Sequence, residues 1–386
     1  MLIRVFPDFE TCAADNIRIL LGRFDTTMMT LKLGRTAVGL EHPTYFVADI
    51  SANHDGDLDR AKLLIRLAAE AGANAAKFQN FRASKIVSEV GFEGLGRQLS
   101  HQSKWKKSVI QVYQEATLPW EWTPALKQEC VACGIDYFSA PYDLEAVDML
   151  DPFVDIFKIG SGDITWQEIL RKVAGKNKPV LLATGASDIG EVQRAVCEIL
   201  EINPQLVLMQ CNTNYTGSLE NFRHIHLRVL ESYRVMFPGV ILGLSDHTPG
   251  HATVLGGVAL GARVIEKHFT DDNRREGPDH PFSMTPSAWR EMVDRTRELE
   301  YALGSSMKFV SENERDTVVV QRRCLRAARD LTAGTVLRED MLEALRPAPR
   351  DAVFPFELVK VVGKRLACDL PAGECLKWTS LAEVRE

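Results

Sequence analysis

The sequence predicts an α/β chain: a (β/α)8 TIM barrel followed by a small β-rich domain. Three observations predict it. Short apolar runs alternate with amphipathic stretches eight times between Tyr45 and Leu303, the pattern of a parallel sheet with crossover helices. Eight such units fit a closed barrel better than an open doubly wound sheet, and no GxGxxG follows the first strand. After Gly304 the texture changes to short β-type runs and turn signals.

Residues 1–30 carry none of this alternation and read as an N-terminal extension, with Met28 and Met29 as an alternative start. The barrel domain spans 31–304. Residues 31–40 read as a hairpin turning at Gly34-Arg35. A strand at 45–50 leads into a helix at 58–71, with Asp57 as N-cap and Gly72 as stop. The next strand is 75–78. A long insertion, 82–107, and helical segments to Cys133 follow it. Strand–helix pairs then run 135–139 with 144–150, 154–159 with 166–174, and 179–183 with 189–201. They continue as 205–211 with 219–236, 240–244 with 251–260, and 264–268 with 286–303, where Gly304 ends the last helix.

Residues 305–317 read as a polar linker. Residues 318–386 form the small domain, with β-type runs at 318–320 and 358–362 and turns at Ala333-Gly334 and Ala372-Gly373. A domain of that size has little core of its own and is expected to dock on something.

Composition excludes several classes. With 45% apolar residues, 25% charged residues and a net charge of -6, the chain is neither disordered nor a whole-chain basic nucleic-acid binder. No apolar run is long enough for a membrane span, and the start lacks a signal-peptide pattern. The cysteines are spread along the chain, so a cytoplasmic location with reduced thiols is expected. Cys130-Val-Ala-Cys133 has no second pair to make a zinc site and reads as two cysteines on one helix.

In such barrels, chemistry sits at the C-terminal ends of the strands. His247 and His268 end consecutive strands, which lie about 4.8 Å apart. They can hold a divalent metal with open positions, or simply bond loop backbone. Lys77 and Lys158 end two other strands. A buried ammonium needs an anion, either a ligand or a partner such as Asp49 or Asp163. Ser161, Gly162 and Ser245 add donors suited to a phosphate. Asp49, Asp163 and Asp279 can relay protons or orient sugar hydroxyls, or serve as caps and ion-pair partners. His54 reads as a turn histidine satisfied by backbone.

In order, these rim residues form Phe46–Gly56, Lys77-Phe-Gln79, Phe138-Ser-Ala-Pro141, Lys158-Ile-Gly-Ser-Gly-Asp163, Ala183-Thr-Gly185, Ser245-Asp-His247, Glu266-Lys-His-Phe269 and Gly277-Pro-Asp279. The string resembles the sialic acid (N-acetylneuraminate) synthase family. The segment from Val319, with Arg322-Arg323 and Ala328-Arg-Asp-Leu331, resembles that family's antifreeze-like SAF domain.

The resemblance implies an enzyme that condenses phosphoenolpyruvate with the aldehyde of an N-acylated hexosamine. The products are a nine-carbon 2-keto-3-deoxy sugar acid and phosphate. It implies that His247 and His268 hold Mn²⁺, with Mg²⁺ or Co²⁺ as substitutes. Lys77, Lys158, Ser161 and Ser245 would hold phosphoenolpyruvate, while Gln79, Tyr215 and Asp279 would face the metal and sugar. Asp49 and Asp163 would act as catalytic carboxylates. Arg323 would reach the barrel of a neighbouring subunit in a domain-swapped homodimer and contact the acyl group.

Asp49 and Asp163 stand where the family usually has glutamate, Ala183 stands where some members have serine, and Cys324 replaces the usual serine after the SAF arginine. With the metal and phosphate end retained, these departures imply an altered sugar end and a non-standard acceptor, of the legionaminic or pseudaminic type or another surface-polysaccharide sugar. Two rivals remain: a phosphoenolpyruvate-dependent synthase acting on a phosphorylated aldose, and an inactive sugar-binding barrel.

Overall fold

The computed structural model describes residues 30–382, and the N-terminal extension read at 1–30 falls almost wholly outside them. The chain divides at Gly304 into two compact units.

In the first unit, β1 (Leu31–Leu33) and β2 (Thr36–Val38) form the hairpin. Gly34 sits at its turn with φ 53°, where a Cβ would lie 2.3 Å from the Asp136 carboxyl carbon, so glycine is required both by conformation and by space. The same carboxylate accepts from the Tyr45 phenol at 2.8 Å. The Arg35 amide also donates to it at 3.4 Å, which ties the hairpin to the bottom of the barrel.

Eight parallel strands close the barrel: β3 (Tyr45–Asp49), β4 (Ala75–Asn80), β5 (Asp136–Pro141), β6 (Phe157–Ile159), β7 (Val180–Ala183), β8 (Leu206–Cys211), β9 (Ile241–Asp246) and β10 (Ala262–His268). β10 pairs with β3, which shuts the sheet on itself. The strands are buried almost throughout, which explains their continuous apolar character. Outer helices bury one stripe each. The helix Gln167–Ala174 buries Ile169, Leu170, Val173 and Ala174, and Ile189–Leu200 begins with a capping box between Asp188 and Glu191. Asp57 caps Leu58–Glu70 through the amides of Asp59 and Arg60, as its position before the apolar stripe predicts.

Three segments differ from the sequence reading. The helix expected over 219–236 is broken into a 3-10 segment, Leu219–His224, and a helix, Val229–Met236. His226 between them has φ 49°, which no helix accommodates.

The second unit contains an antiparallel pair, β11 (Cys324–Ala327) and β12 (Leu342–Leu345). These pack with a core that includes Leu331, Leu337, Val353 and Leu376. Val318–Val320, read as a β-type run, lies in the helix Arg315–Gln321. Ser311 and Glu314 cap the turn that leads into it, and local capping overrides the valines' strand preference. Leu358–Val361 is likewise helical: Pro355 opens the preceding turn, and Glu357 accepts from the Phe354 amide at 3.2 Å. The linker read at 305–317 therefore already contains helical turns. Among the described residues, no helix is long and apolar enough to cross a membrane.

Candidate active site

Strand register explains how the site assembles. In neighbouring parallel strands, paired residues share a level, and alternate residues share a face. Asp49 pairs with Lys77 on one side and with His268 on the other. Ser245 pairs with Glu266. The result is a ring of polar side chains at the C-terminal rim of an apolar barrel. It lines a cavity of about 400 Å³, within the size range of small-molecule sites.

Every candidate residue of the first unit lines this one cavity: Asp49, Lys77, Gln79, Lys158, Ser161, Asp163, Tyr215, Ser245, His247, His268 and Asp279. Arg323 belongs to the second unit, where its guanidinium donates to the Ala344 carbonyl at 2.6 Å. His54 does what its turn position suggests: its Nδ1 accepts from the Gly56 amide at 3.0 Å.

The floor is not a bare basic cradle. Lys77 Nζ lies 2.7 Å from Asp49 and 3.5 Å from Glu266, and Lys158 Nζ lies 2.8 Å from Glu266. The partner of Lys158 is therefore Glu266 rather than Asp163. Ser245 Oγ donates to the same Glu266 oxygen at 3.1 Å. Burial opposes ionisation of Glu266, but the two ammonium groups prevail and bring its pKa down to about 2. Burial likewise disfavours charge on Lys77, and Asp49 and Glu266 reverse that effect so that its pKa is raised.

Glu266 carries the charge balance, yet it is absent from the sequence-derived site. The available signal was period-two alternation. Glu266 and His268 share a face, whereas Lys267 points the other way into a buried pair with Asp246. The pocket faces of Phe81, His101, Trp105 and Tyr113 were also missed: His101 and Trp105 lie in the 82–107 insertion, which has no periodicity to reveal which residues point inward, and Phe81 and Tyr113 flank it.

Asp163 follows β6 in a short 3-10 turn, Ser161–Asp163. Among the described residues no ion pair reaches it, and its Oδ2 has no hydrogen-bond partner. Desolvation therefore raises its pKa from 3.8 to about 7. In the unfolded chain it ionises near the ordinary value. Its contribution to stability is thus full below about 3.8 and is lost as pH rises through about 7. Asp163→Asn should flatten this part of the pH–stability curve in urea titrations, and an unchanged slope would refute the assignment.

The histidines sit together, with ring centroids 5.4 Å apart. His247 Nδ1 bonds the Asn212 carbonyl at 2.9 Å, which fixes the tautomer with Nε2 unprotonated. Burial, reinforced by the nearby His268, lowers the His247 pKa to about 3 and keeps its ring neutral. His268 lies between Asp49 (3.4 Å from Nε2) and Asp279 (3.7 Å from Nδ1), and its Nδ1 has no hydrogen-bond partner. Two imidazoles side by side, His247 with its Nε2 unprotonated and His268 with an unpartnered Nδ1, fit a shared divalent cation. Among the described residues, no group of three or more His, Cys, Asp or Glu side chains gathers to hold a metal, so remaining positions would fall to water or substrate oxygens.

Asp279 is held by Ser51 Oγ at 2.6 Å and the Ala52 amide at 3.3 Å. Its loop is anchored by buried His280, which bonds Thr270 at 2.7 Å and Asp55 at 2.9 Å. Gly185 gives its amide to Ser161 Oγ at 2.9 Å, and a Cβ there would stand 2.4 Å from Thr213. The loops therefore approach too closely for any other residue.

Buried polar atoms without a protein partner concentrate here: Asp49 Oδ1, Asp163 Oδ2, Glu266 Oε2, His101 Nδ1 and His268 Nδ1. Orphaned groups of this kind cost free energy unless a ligand or water satisfies them, so their clustering marks a binding site.

The sequence matches the NeuB family over residues 64–308 and the SAF domain over residues 322–382. It is 37% identical over 357 residues to the uncharacterised protein MJ1065 of Methanocaldococcus jannaschii, covering 92% of this chain and 99% of the relative. It is 35% identical over 321 residues to the N,N'-diacetyllegionaminic acid synthase of Campylobacter jejuni, covering 81% of this chain and 93% of that enzyme. The crystal structure of N-acetylneuraminic acid (sialic acid) synthetase from Leptospira borgpetersenii in complex with citrate matches with a TM-score of 0.67 at 26% identity, over 75% of this chain and 95% of the other. The closed barrel, its polar rim and these matches lead to one conclusion: the chain belongs to the NeuB family and carries a C-terminal SAF domain.

Proposed function

We propose that this protein joins phosphoenolpyruvate to the open-chain aldehyde of an N-acylated hexosamine, giving a nine-carbon 2-keto-3-deoxy sugar acid and phosphate. The observation that carries the reading is the single cavity that gathers Lys77 and Lys158, the pair His247 and His268, and three aspartates. The names of the relatives point to the same reaction class.

The reaction forms a bond between carbon 3 of the enol ether and the aldehyde carbon. Water adds at carbon 2, and the bond from carbon 2 to the phosphate oxygen breaks. A divalent cation held by His247 and His268, with Mn²⁺ foremost, would supply Lewis-acid polarisation of the aldehyde. Lys77 and Lys158 offset the charge of the phosphate and carboxylate, and the hydroxyls of Ser161 and Ser245 orient them. Asp163 has a pKa of about 7, so it can give or take a proton near neutral pH. Asp49 and Asp279 flank His268 and face the site of carbon–carbon bond formation.

The test is to incubate the protein with phosphoenolpyruvate, Mn²⁺ and a panel of free and phosphorylated aldoses. Phosphate release and 2-keto-acid formation are then measured. Turnover of an N-acylated hexosamine is expected. Turnover only with an aldose phosphate would favour the sugar-phosphate rival, and no turnover with any acceptor would leave the inactive barrel.

By the same resemblance, Arg323 serves the barrel of a second copy in a domain-swapped dimer. Arg323→Ala should raise the KM for the acceptor well above any change in that for phosphoenolpyruvate. Equal effects on both would count against this role.

A further inference from the structure

The second unit holds a pair of nucleophiles that the barrel chemistry does not use. The sulfurs of Cys324 and Cys375 lie 3.4 Å apart, both as free thiols. Cys324 opens β11, and the segment that carries Cys375 runs antiparallel along the same strand. Arg326 and Cys375 form an antiparallel bridge. The Leu376 amide donates to the Leu325 carbonyl at 2.8 Å, and the Ala327 amide donates to the Glu374 carbonyl at 3.1 Å. Backbone hydrogen bonds therefore hold the two thiols face to face. They pack in a small cluster with Ala348, Ala352 and Phe354, apart from the unit's larger core. Cys324 is fully buried and Cys375 is 4% exposed. Cys368, in the same unit, is exposed.

A disulfide needs its sulfurs about 2.05 Å apart, so closing this gap takes about 1.4 Å, a side-chain rotation with a small backbone adjustment. The ordering cost is already met, because the two backbones are aligned before any bond forms. A serine at 324, the residue usual after the SAF arginine, would leave Cys375 without a second sulfur. Bond formation needs an acceptor for two electrons, and a hydroperoxide is small enough for a nearly closed site. The Cys375 sulfur, the more exposed of the two, attacks a peroxide oxygen. The O–O bond breaks, water leaves and a sulfenic acid forms. The Cys324 sulfur then attacks the Cys375 sulfur, the S–O bond breaks and a second water leaves. Two thiols and one hydrogen peroxide thus give one disulfide and two waters. We propose that Cys324 and Cys375 are a redox site, closed by hydroperoxide into a reversible disulfide that staples the 373–376 segment to the start of β11, beside Arg323. Burial, and then the neighbouring thiol, push Cys375 up to about 12. Little thiolate exists at neutral pH, so the pair stays reduced under weak oxidants and closes under sustained ones.

The experiment treats the full chain with hydrogen peroxide, removes the excess with catalase, alkylates remaining thiols in urea and maps the digest by mass spectrometry. A peptide pair joined through Cys324 and Cys375, lacking both thiol hydrogens, should appear and should vanish with dithiothreitol. Cys368→Ser should leave that link in place, and Cys324→Ser should abolish it. The link closes a loop across residues 51 positions apart, which restricts the unfolded chain. Proteolysis of the second unit in moderate urea should therefore slow by about tenfold or more on oxidation, and Cys324→Ser should show no such slowing. Alkylation of both cysteines after peroxide, a link that runs through Cys368 instead, or separate sulfinic acids at Cys324 and Cys375 would overturn the proposal. The mapping is made on wild-type protein, so the result stands even if a variant folds poorly.

Discussion

Glu266→Gln is expected to destabilise the barrel by about 3–5 kcal/mol, the usual cost of removing one partner from a buried ion pair. The side chain keeps its shape, so the loss is electrostatic. Lys158 loses its carboxylate at 2.8 Å and Lys77 loses its second one at 3.5 Å. Both ammonium groups are buried, and water cannot readily replace the lost charge. Urea unfolding monitored by tryptophan fluorescence measures the effect. Added inorganic phosphate should recover part of it, because an anion in the cavity restores the missing charge. A loss below about 1 kcal/mol, the scale of an exposed pair, would mean that Glu266 does not hold the floor together.

His268→Ala is expected to lower kcat/KM by about a hundredfold or more, whether the ring carries a proton or holds an ion. The ring stands between Asp49 and Asp279 and 5.4 Å from His247, so removing it leaves His247 alone and takes a neighbour from both carboxylates. Wild-type activity should rise with added Mn²⁺ to a plateau, and the variant should lack that response. Circular dichroism in the near and far ultraviolet should match the wild type, since Phe282 and Tyr215 still pack at the site. Full activity in the variant would remove His268 from the chemistry.

The barrel was legible in the sequence because its strands are apolar runs at regular spacing, and rim residues such as Asp49, Lys158 and His268 stand at or next to the ends of their strands. Asp57 and Gly304 marked helix ends for local reasons that any context respects. The failures share a cause. At Val318–Val320 a strong side-chain preference gave way to the caps at Ser311 and Glu314. At 219–236 a continuous polar–apolar pattern concealed the left-handed His226. In the site, Glu266 went unrecognised because its partners, Lys77 and Lys158, come from strands far away in sequence, and only barrel closure brings them together. The same holds for His101 and Trp105, which lie on irregular segments.

The pairing of the floor lysines changes what occupancy of the cavity means. An arriving anion does not fall into an empty positive trap. It competes with Asp49 and Glu266 for lysines those carboxylates already hold, so binding is an exchange of counter-ions rather than a capture. The exchange trims affinity for any dianion. In the proposed reaction, where the bond at carbon 2 breaks and phosphate leaves, carboxylates that rest 2.7–2.8 Å from the ammonium groups would reclaim them. The barrel thus carries its own displacing ions, and the groups that restrain entry also speed departure.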